Sequence, residues 1–159
     1  MKTYILLATT LGLISCSGPS VLSSTQLLAS SAAFHDPDNR WERATLSLYI
    51  QEPRIQNPSR YSRLLLNNET GEFQLGFYHF MYGLPKSITQ EKVKEMRPVN
   101  AAFFNNKACY QLEVELVEPM ISAHWRLYFR EGDFRLEGVE IFFPEEAEKG
   151  EKIVFDHLA

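Results

Sequence analysis

ACYQLEVELV, residues 108–117, alternates apolar and polar side chains from its tyrosine onward. The apolar set is Tyr110, Leu112, Val114 and Leu116, and the polar set is Gln111, Glu113 and Glu115. Successive side chains of a strand point to opposite faces, so this alternation predicts a β-strand buried on one face only. Cys109 falls on the polar side of the alternation, and no catalytic cysteine signature surrounds it.

Strand-like segments on both sides of this stretch predict an antiparallel sheet. They cover residues 44–50, 61–66, 72–75, 99–104, 124–129, 134–143 and 153–155. Turn residues separate several of them, at 67–71, 105–107 and 130–133, and a proline-containing break spans residues 53–58. Within 134–143 the apolar phase changes at Gly138, which predicts a β-bulge there.

A helix is predicted over residues 26–34, before the first strand. Ser24 or Thr25 can cap its start, and the His35-Asp36-Pro37 string ends it, since a residue that precedes proline resists the helical conformation. We interpret His35 as a helix-terminal histidine that complements the last carbonyl groups.

A short aromatic segment, FYHFMYGLP, spans residues 77–85. As a strand it would have no polar face, whereas a helix groups Phe77, Phe80 and Met81 on one side, so a short helix is predicted before Gly83 and Pro85. Two interpretations stay open: the helix covers the sheet as core, or it lines a cavity for an apolar molecule. In the second, the wall residues are Phe77, Phe80, Met81, Tyr82 and Trp125.

The first fifteen residues have the layout of a secretory signal: one charged residue, Lys2, then an apolar run and a small-residue exit. Leu13-Ile14-Ser15-Cys16 looks like a bacterial lipobox, in which the cysteine thiol accepts a diacylglycerol. We therefore expect a lipoprotein with a signal peptide at 1–15, a lipidated Cys16 with a flexible tether at 16–23, and one α+β domain at 24–159. Gly18 is not the aspartate associated with inner-membrane retention, which favours the outer membrane.

The charge balance is acidic. The full chain carries 16 basic and 20 acidic residues, for a net charge of −4, and removal of the leader with Lys2 leaves 15 against 20. No basic patch is visible in the sequence, so nucleic acid is not an expected partner. Electrostatic attraction to anionic lipid headgroups is not expected either.

Two strings carry a resemblance to a known family. QLLASSAAFHDPD, residues 26–38, and the Tyr-Gly-Leu-Pro of residues 82–85 are similar to segments of uncharacterised Gram-negative envelope lipoproteins, a domain of unknown function. The resemblance implies a curved antiparallel sheet around helices, like the periplasmic lipoprotein-carrier (LolA-like) fold. Several of the family's strands are missing between Phe73 and Phe77, and a hairpin is missing beyond Ala159, so a reduced half-barrel is expected.

Signals for catalysis are weak. His35, His79, His124 and His157 lack the spacing of a metal pair, and the chain has no nucleophile elbow, P-loop or dinucleotide fingerprint. We expect no enzyme activity, cofactor or metal. The leading hypothesis is an anchored lipoprotein that binds or carries an apolar ligand such as a lipid. The alternatives are an interaction module that presents sheet edges to an envelope complex and, third, a hydrolase.

Overall fold

A computed structural model describes residues 22–51, 61–67, 76–146 and 149–155. The fold is α+β, with a curved, unclosed antiparallel sheet of six strands and few helices. The antiparallel pairing is as the strand pattern predicted. The helices are α1 (Ser24–His35), a 3₁₀ turn (Trp41–Arg43) and α2 (Gly76–Tyr82). The strands are β1 (Thr45–Gln51), β2 (Tyr61–Asn67), β3 (Val93–Met96), β4 (Asn100–Phe104), β5 (Lys107–Met120), β6 (Ser122–Arg130), β7 (Leu136–Phe142) and β8 (Gly150–Val154).

The long strand β5 organises the main sheet. One edge of β5 pairs with β6, and the other edge pairs with β4 in its first half and β3 in its second half. Strands β7 and β8 continue the sheet beyond β6. Strand β3 was not predicted, because its sequence, VKEM, shows no alternation of apolar and polar residues. Strands β1 and β2 form a separate antiparallel pair, and the predicted break at 53–58 and return strand at 72–75 lie outside the described residues.

The inner face of the sheet holds the main core. Its most buried members are Leu112, Val114, Leu116, Trp125, Leu127, Phe129, Val139 and Ile141. Leu27 of α1 and Phe80 of α2 pack onto this face and are buried in the same cluster. Burial of large apolar side chains is the main favourable term in folding, so these contacts hold both helices to the sheet. For α2, the buried face is the one that the sequence pattern predicted.

The predicted bulge lies in β7. Tyr128 pairs with Gly138 and Phe129 pairs with Leu136, which leaves Glu137 as the extra residue. A Cβ atom on Gly138 would lie 2.4 Å from the carbonyl oxygen of Ile153, so only glycine fits there without movement. The predicted phase change at Gly138 is therefore confirmed.

A second, smaller core lies on the outer face of the sheet. Cys109 is fully buried there in one cluster with Phe104 and Tyr128, whose rings stack on each other with centroids 4.3 Å apart. The alternation placed Cys109 among the polar residues, so the sequence did not predict its burial. Burial and the nearby Glu137 carboxylate raise the pKa of the thiol.

The N-cap of helix α1 lies one residue before the first of the predicted caps. Ser23 is the N-cap: its hydroxyl accepts the N–H of Gln26 at 3.2 Å, and the Gln26 side chain accepts the N–H of Ser23 at 3.0 Å. This reciprocal capping box satisfies two of the helix's free amide groups. The prediction of Ser24 or Thr25 as the cap is therefore wrong by one or two residues. Ser24 instead donates from its hydroxyl to the carbonyl of Arg97 at 3.1 Å, which attaches α1 to the chain after β3.

Candidate functional site

Helix α2 packs directly on Trp125. The ring of Phe80 meets the indole edge-on with centroids 5.3 Å apart, and the ring of Phe77 lies 5.9 Å away. Phe80 and Trp125 are almost fully buried, and the indole N–H donates to the carbonyl of Ser122 at 3.0 Å. The predicted helix is confirmed, and the contact between these two rings leaves no room for a ligand between them.

An apolar cleft borders α2 on the side of the second half of β5. We call it the edge cleft. It has a volume of about 200 Å³ and is lined by Phe80, Glu91, Lys92, Leu116, Val117, Glu118 and Met120. Leu116 and Phe80 are buried, whereas the three charged residues of the lining are exposed to solvent. The cleft can therefore accept an apolar group inside while its charged residues stay hydrated.

A second cleft borders the end of α2. We call it the helix cleft. It has a volume of about 140 Å³ and is lined by His35, Met81, Tyr82, Leu84, Leu136 and Phe155. His35 accepts the backbone N–H of Leu136 on its Nε2 atom at 2.9 Å, which joins the end of α1 to β7. Tyr82 is 39% exposed, so its side chain is open to both the cleft and the solvent.

An ion pair connects two of the segments that line the helix cleft. The Asp36 carboxylate accepts hydrogen bonds from the backbone N–H groups of Arg40 and Trp41 at 2.6 and 2.9 Å. It also accepts a hydrogen bond from the Lys86 ammonium at 2.6 Å. Lys86 follows Leu84-Pro85, so the pair connects the His-Asp-Pro string to the Tyr-Gly-Leu-Pro string. The hydrogen bond from Lys86, with those two amides, lowers the pKa of Asp36 to about 2.

The outer face of the sheet carries a network of ion pairs. Glu113 binds Arg97 at 2.6 Å and Arg126 at 3.0 Å, and the guanidinium of Arg126 lies 3.9 Å from the centre of the Phe142 ring. A shallow cleft of about 350 Å³ lies over these residues and His124. Both guanidinium groups already have a carboxylate partner, so we assign this network to the solvated face of the sheet.

The structure separates the sequence-predicted site residues into two groups. Phe77, Phe80 and Trp125 come together in the core under α2, and Phe80 also reaches the edge cleft. Met81 and Tyr82 line the helix cleft. Cys16 lies outside the described residues. The sequence did not predict the other apolar lining residues, because they come from β5, from β7 and from the segments that follow α2 and β8. These residues are Leu84, Leu116, Val117, Met120, Leu136 and Phe155.

The described residues do not meet the requirements of a metal site or of a membrane-spanning helix. Among the described residues, no three His, Cys, Asp or Glu side chains are grouped as a metal ion would require. Within the same residues, no helix has the length and hydropathy needed to cross a bilayer.

The described part of the chain is thus an α+β domain in which an open antiparallel sheet carries a short aromatic helix with an apolar cleft at each border. Comparisons with protein-family models, with curated proteins and with solved structures found no match. The resemblance to envelope lipoproteins and to the lipoprotein-carrier fold stays a prediction.

Proposed function

We propose that the protein is a bacterial envelope lipoprotein, anchored to the outer membrane through Cys16, whose domain binds an apolar ligand beside α2. The observation that carries the proposal is the pair of apolar clefts on the borders of the aromatic helix. The lipobox-like string before Cys16 supports the anchor.

The size of the clefts favours a particular ligand class. Pockets for drug-sized molecules measure roughly 300–1,000 Å³, whereas an apolar cavity of about 150 Å³ suffices for benzene. The edge cleft, at about 200 Å³, and the helix cleft, at about 140 Å³, are therefore suited to part of one acyl chain rather than to a whole lipid. The ligand is then a molecule with a single inserted chain and a head group that stays outside.

Polar groups at each cleft suit such a head group. Lys92 lines the edge cleft and is exposed, so its ammonium can meet a carboxylate or phosphate. The Tyr82 hydroxyl lies at the helix cleft and can donate a hydrogen bond to a similar group. Met81 and Met120, one in each lining, offer flexible side chains that adapt to chains of different shape.

Native mass spectrometry of protein extracted in mild detergent tests the proposal. We expect bound lipid on the wild-type chain, together with uptake of a fluorescent fatty acid. Met120→Glu places a charge in the edge cleft and should reduce uptake at least severalfold. Val154→Glu is the control, because Val154 is an exposed apolar residue of β8. A clean apo mass with no uptake by the wild type would contradict ligand binding.

The anchor is tested separately by the intact mass of the protein purified from membranes. We expect the loss of residues 1–15 and the addition of a diacylglycerol at Cys16, and Cys16→Ser should abolish both changes. An unprocessed leader without acyl mass on the wild-type chain would contradict the lipoprotein proposal.

A second candidate is an interaction module, and strand β4 favours it. Its sequence, NAAFF, has no charged residue, whereas the edge strands β3 and β8 both carry lysine and glutamate. Phe103 is 80% exposed on this strand. Uncharged strand edges are templates for pairing with another chain. A photoreactive residue at position 103 should crosslink to an envelope protein in cells; the absence of any protein adduct would remove this candidate.

A further inference from the structure

The two turns at the ends of β5 differ in polarity: one has asparagines at its positive-φ positions and the other has an isoleucine. At one end, Asn105 and Asn106 connect β4 to β5 with φ angles of +48° and +62°. At the other end, Ile121 connects β5 to β6 with φ of +69°, between the paired residues Met120 and Ser122. Both turns need the left-handed backbone conformation, but only the first uses a residue suited to it.

Isoleucine is a poor choice for that conformation. Asparagine and glycine adopt positive φ readily, whereas a β-branched side chain there is an outlier because its Cβ substituents crowd the backbone. Burial does not compensate, since Ile121 remains 50% exposed. A residue that lowers stability in the turn and gains little from packing indicates a functional role rather than a structural one.

The neighbours of Ile121 make the turn an apolar projection. Val117 is 57% exposed, and Met120 is half-buried against the core. We call residues 117–121 the apolar tip. Val117 and Met120 also line the edge cleft, so the tip and the cleft share these two apolar residues.

We propose that the apolar tip inserts into the surface of a lipid bilayer and that an acyl chain enters the edge cleft along it. This inference rests on the proposed function and adds that the bound acyl chain comes from the membrane. Glu118 lies within the tip, between Val117 and Met120 in the chain, and Glu91 lies in the cleft lining. Both carboxylates are exposed, so the contact depends on the apolar side chains and not on attraction to anionic headgroups. Binding should therefore occur on neutral phosphatidylcholine vesicles and should change little with salt.

The tether allows this contact. Leu22 follows Cys16 by six positions, and a fully extended chain of this length spans at most about 22 Å. The start of α1 is attached at Arg97, which donates its backbone N–H to Glu113 in the middle of β5. From Glu113 to Met120 the strand advances roughly 23 Å at about 3.3 Å per residue. The reach of the tether and the distance to the tip are thus similar.

Nitroxide labels measure the contact directly. The mature chain, acylated at Cys16, carries a label at Ile121→Cys or at Asn105→Cys, which are at opposite ends of β5. Cys109 is buried and should stay unlabelled. In vesicles, we expect the label at 121 to collide with oxygen more than with an aqueous nickel reagent, and the label at 105 to show the reverse. A label at 121 that is exposed to water, or shielded from both reagents by protein, would overturn the proposal.

A substitution separates stability from membrane contact. Ile121→Asn should raise the urea midpoint of unfolding, because asparagine tolerates the turn conformation, and should lower the vesicle partition coefficient severalfold. Phe103→Asn removes a different exposed apolar side chain, on β4 beside the start of β5, and should leave partition unchanged. Equal partition of Ile121→Asn and wild type would contradict the role of the tip.

Failure of this inference differs from failure of the proposed function. The partition assay uses the mature chain, residues 16–159 with Cys16→Ser, so it needs no acyl anchor. Missing acyl mass on the wild-type chain would remove the anchor and leave the assay of the tip intact. If the protein takes up fatty acid from solution but the Cys16→Ser chain does not partition onto vesicles, ligand binding in the cleft is supported and membrane contact by the tip is refuted.

Discussion

Replacing Lys86 with methionine removes the ammonium group that holds Asp36 and leaves an apolar side chain of similar length. Lys86 and Asp36 are mostly buried, with 21% and 16% of their side chains exposed. The pair connects the end of α1 to the turn after α2, and both segments contribute to the helix cleft. Lys86→Met therefore tests an interaction that links stability to the candidate site.

The pKa of Asp36 gives the magnitude. A fall from the ordinary value of 3.8 to about 2 corresponds to roughly 2.4 kcal/mol for a fully shielded group. Residual exposure of the pair screens the interaction, and two backbone amides contribute part of the shift, so we expect Lys86→Met to cost about 1–2 kcal/mol at pH 7.

The pH dependence has a definite sign. The folded-state pKa of Asp36 lies below its unfolded value, so its contribution is complete above about pH 5 and is lost as the pH falls through 3.8 towards 2. Urea unfolding of wild type and Lys86→Met between pH 7 and 2 should show two curves that converge at low pH. Asp133, whose pKa Arg130 also lowers to about 2, contributes equally to both proteins and cancels in the difference.

Two outcomes would refute this reasoning. A constant difference between the two proteins down to pH 2 would mean that Lys86 stabilises through packing rather than through the charge of Asp36. No difference at any pH would mean that the ion pair contributes nothing. Asp36→Asn is the matched control, because it removes the titrating group, and its unfolding free energy should differ from wild type in the same pH window.

Four other substitutions test the fold. Gly138→Ala should destabilise the protein by about 2–4 kcal/mol in urea unfolding, since its Cβ would lie 2.5 Å from a phenylalanine ring. Gly132→Ala should cost only about 1 kcal/mol, because its Cβ would meet open space and only the φ of +99° is unfavourable. Equal losses would contradict the bulge geometry. Lys107→Met should cost about 1–3 kcal/mol, because Glu137 is 1% exposed and loses its closest cation, and a neutral effect in thermal unfolding would refute that. Phe80→Ala should cost about 3–5 kcal/mol, and a loss below about 1 kcal/mol would show that α2 is not core.

Local patterns in the sequence predicted much of the sheet. The alternation in 108–117 suffices because β5 is central and buried on one face along most of its length. The bulge at Gly138 was predictable because a phase change and a glycine coincide there. Strand β3 escaped prediction for the opposite reason: it is a four-residue edge strand with two exposed charged residues, and its pairing with β5 rather than its own pattern makes it a strand.

The candidate site was less predictable, since it depends on contacts between distant segments. Residues 77–82 sort into faces on a helix, so α2 and its contact with the core could be inferred from the sequence. The clefts could not, because Met120 and His35 reach them from a strand end and a helix end. The burial of Cys109 depends on Phe104 and Tyr128, which come from two neighbouring strands.

The enclosure of Cys109 has a practical consequence. Thiols attack disulfides and alkylating reagents as thiolates, and the reaction requires access to solvent. Neither condition is met here, because the side chain is fully buried and its pKa is raised. The Cys16→Ser chain, in which Cys109 is the remaining cysteine, should therefore stay free of covalent dimers and of glutathione adducts in air for as long as it is folded. The rate at which adducts form at Cys109 then reports the rate of unfolding.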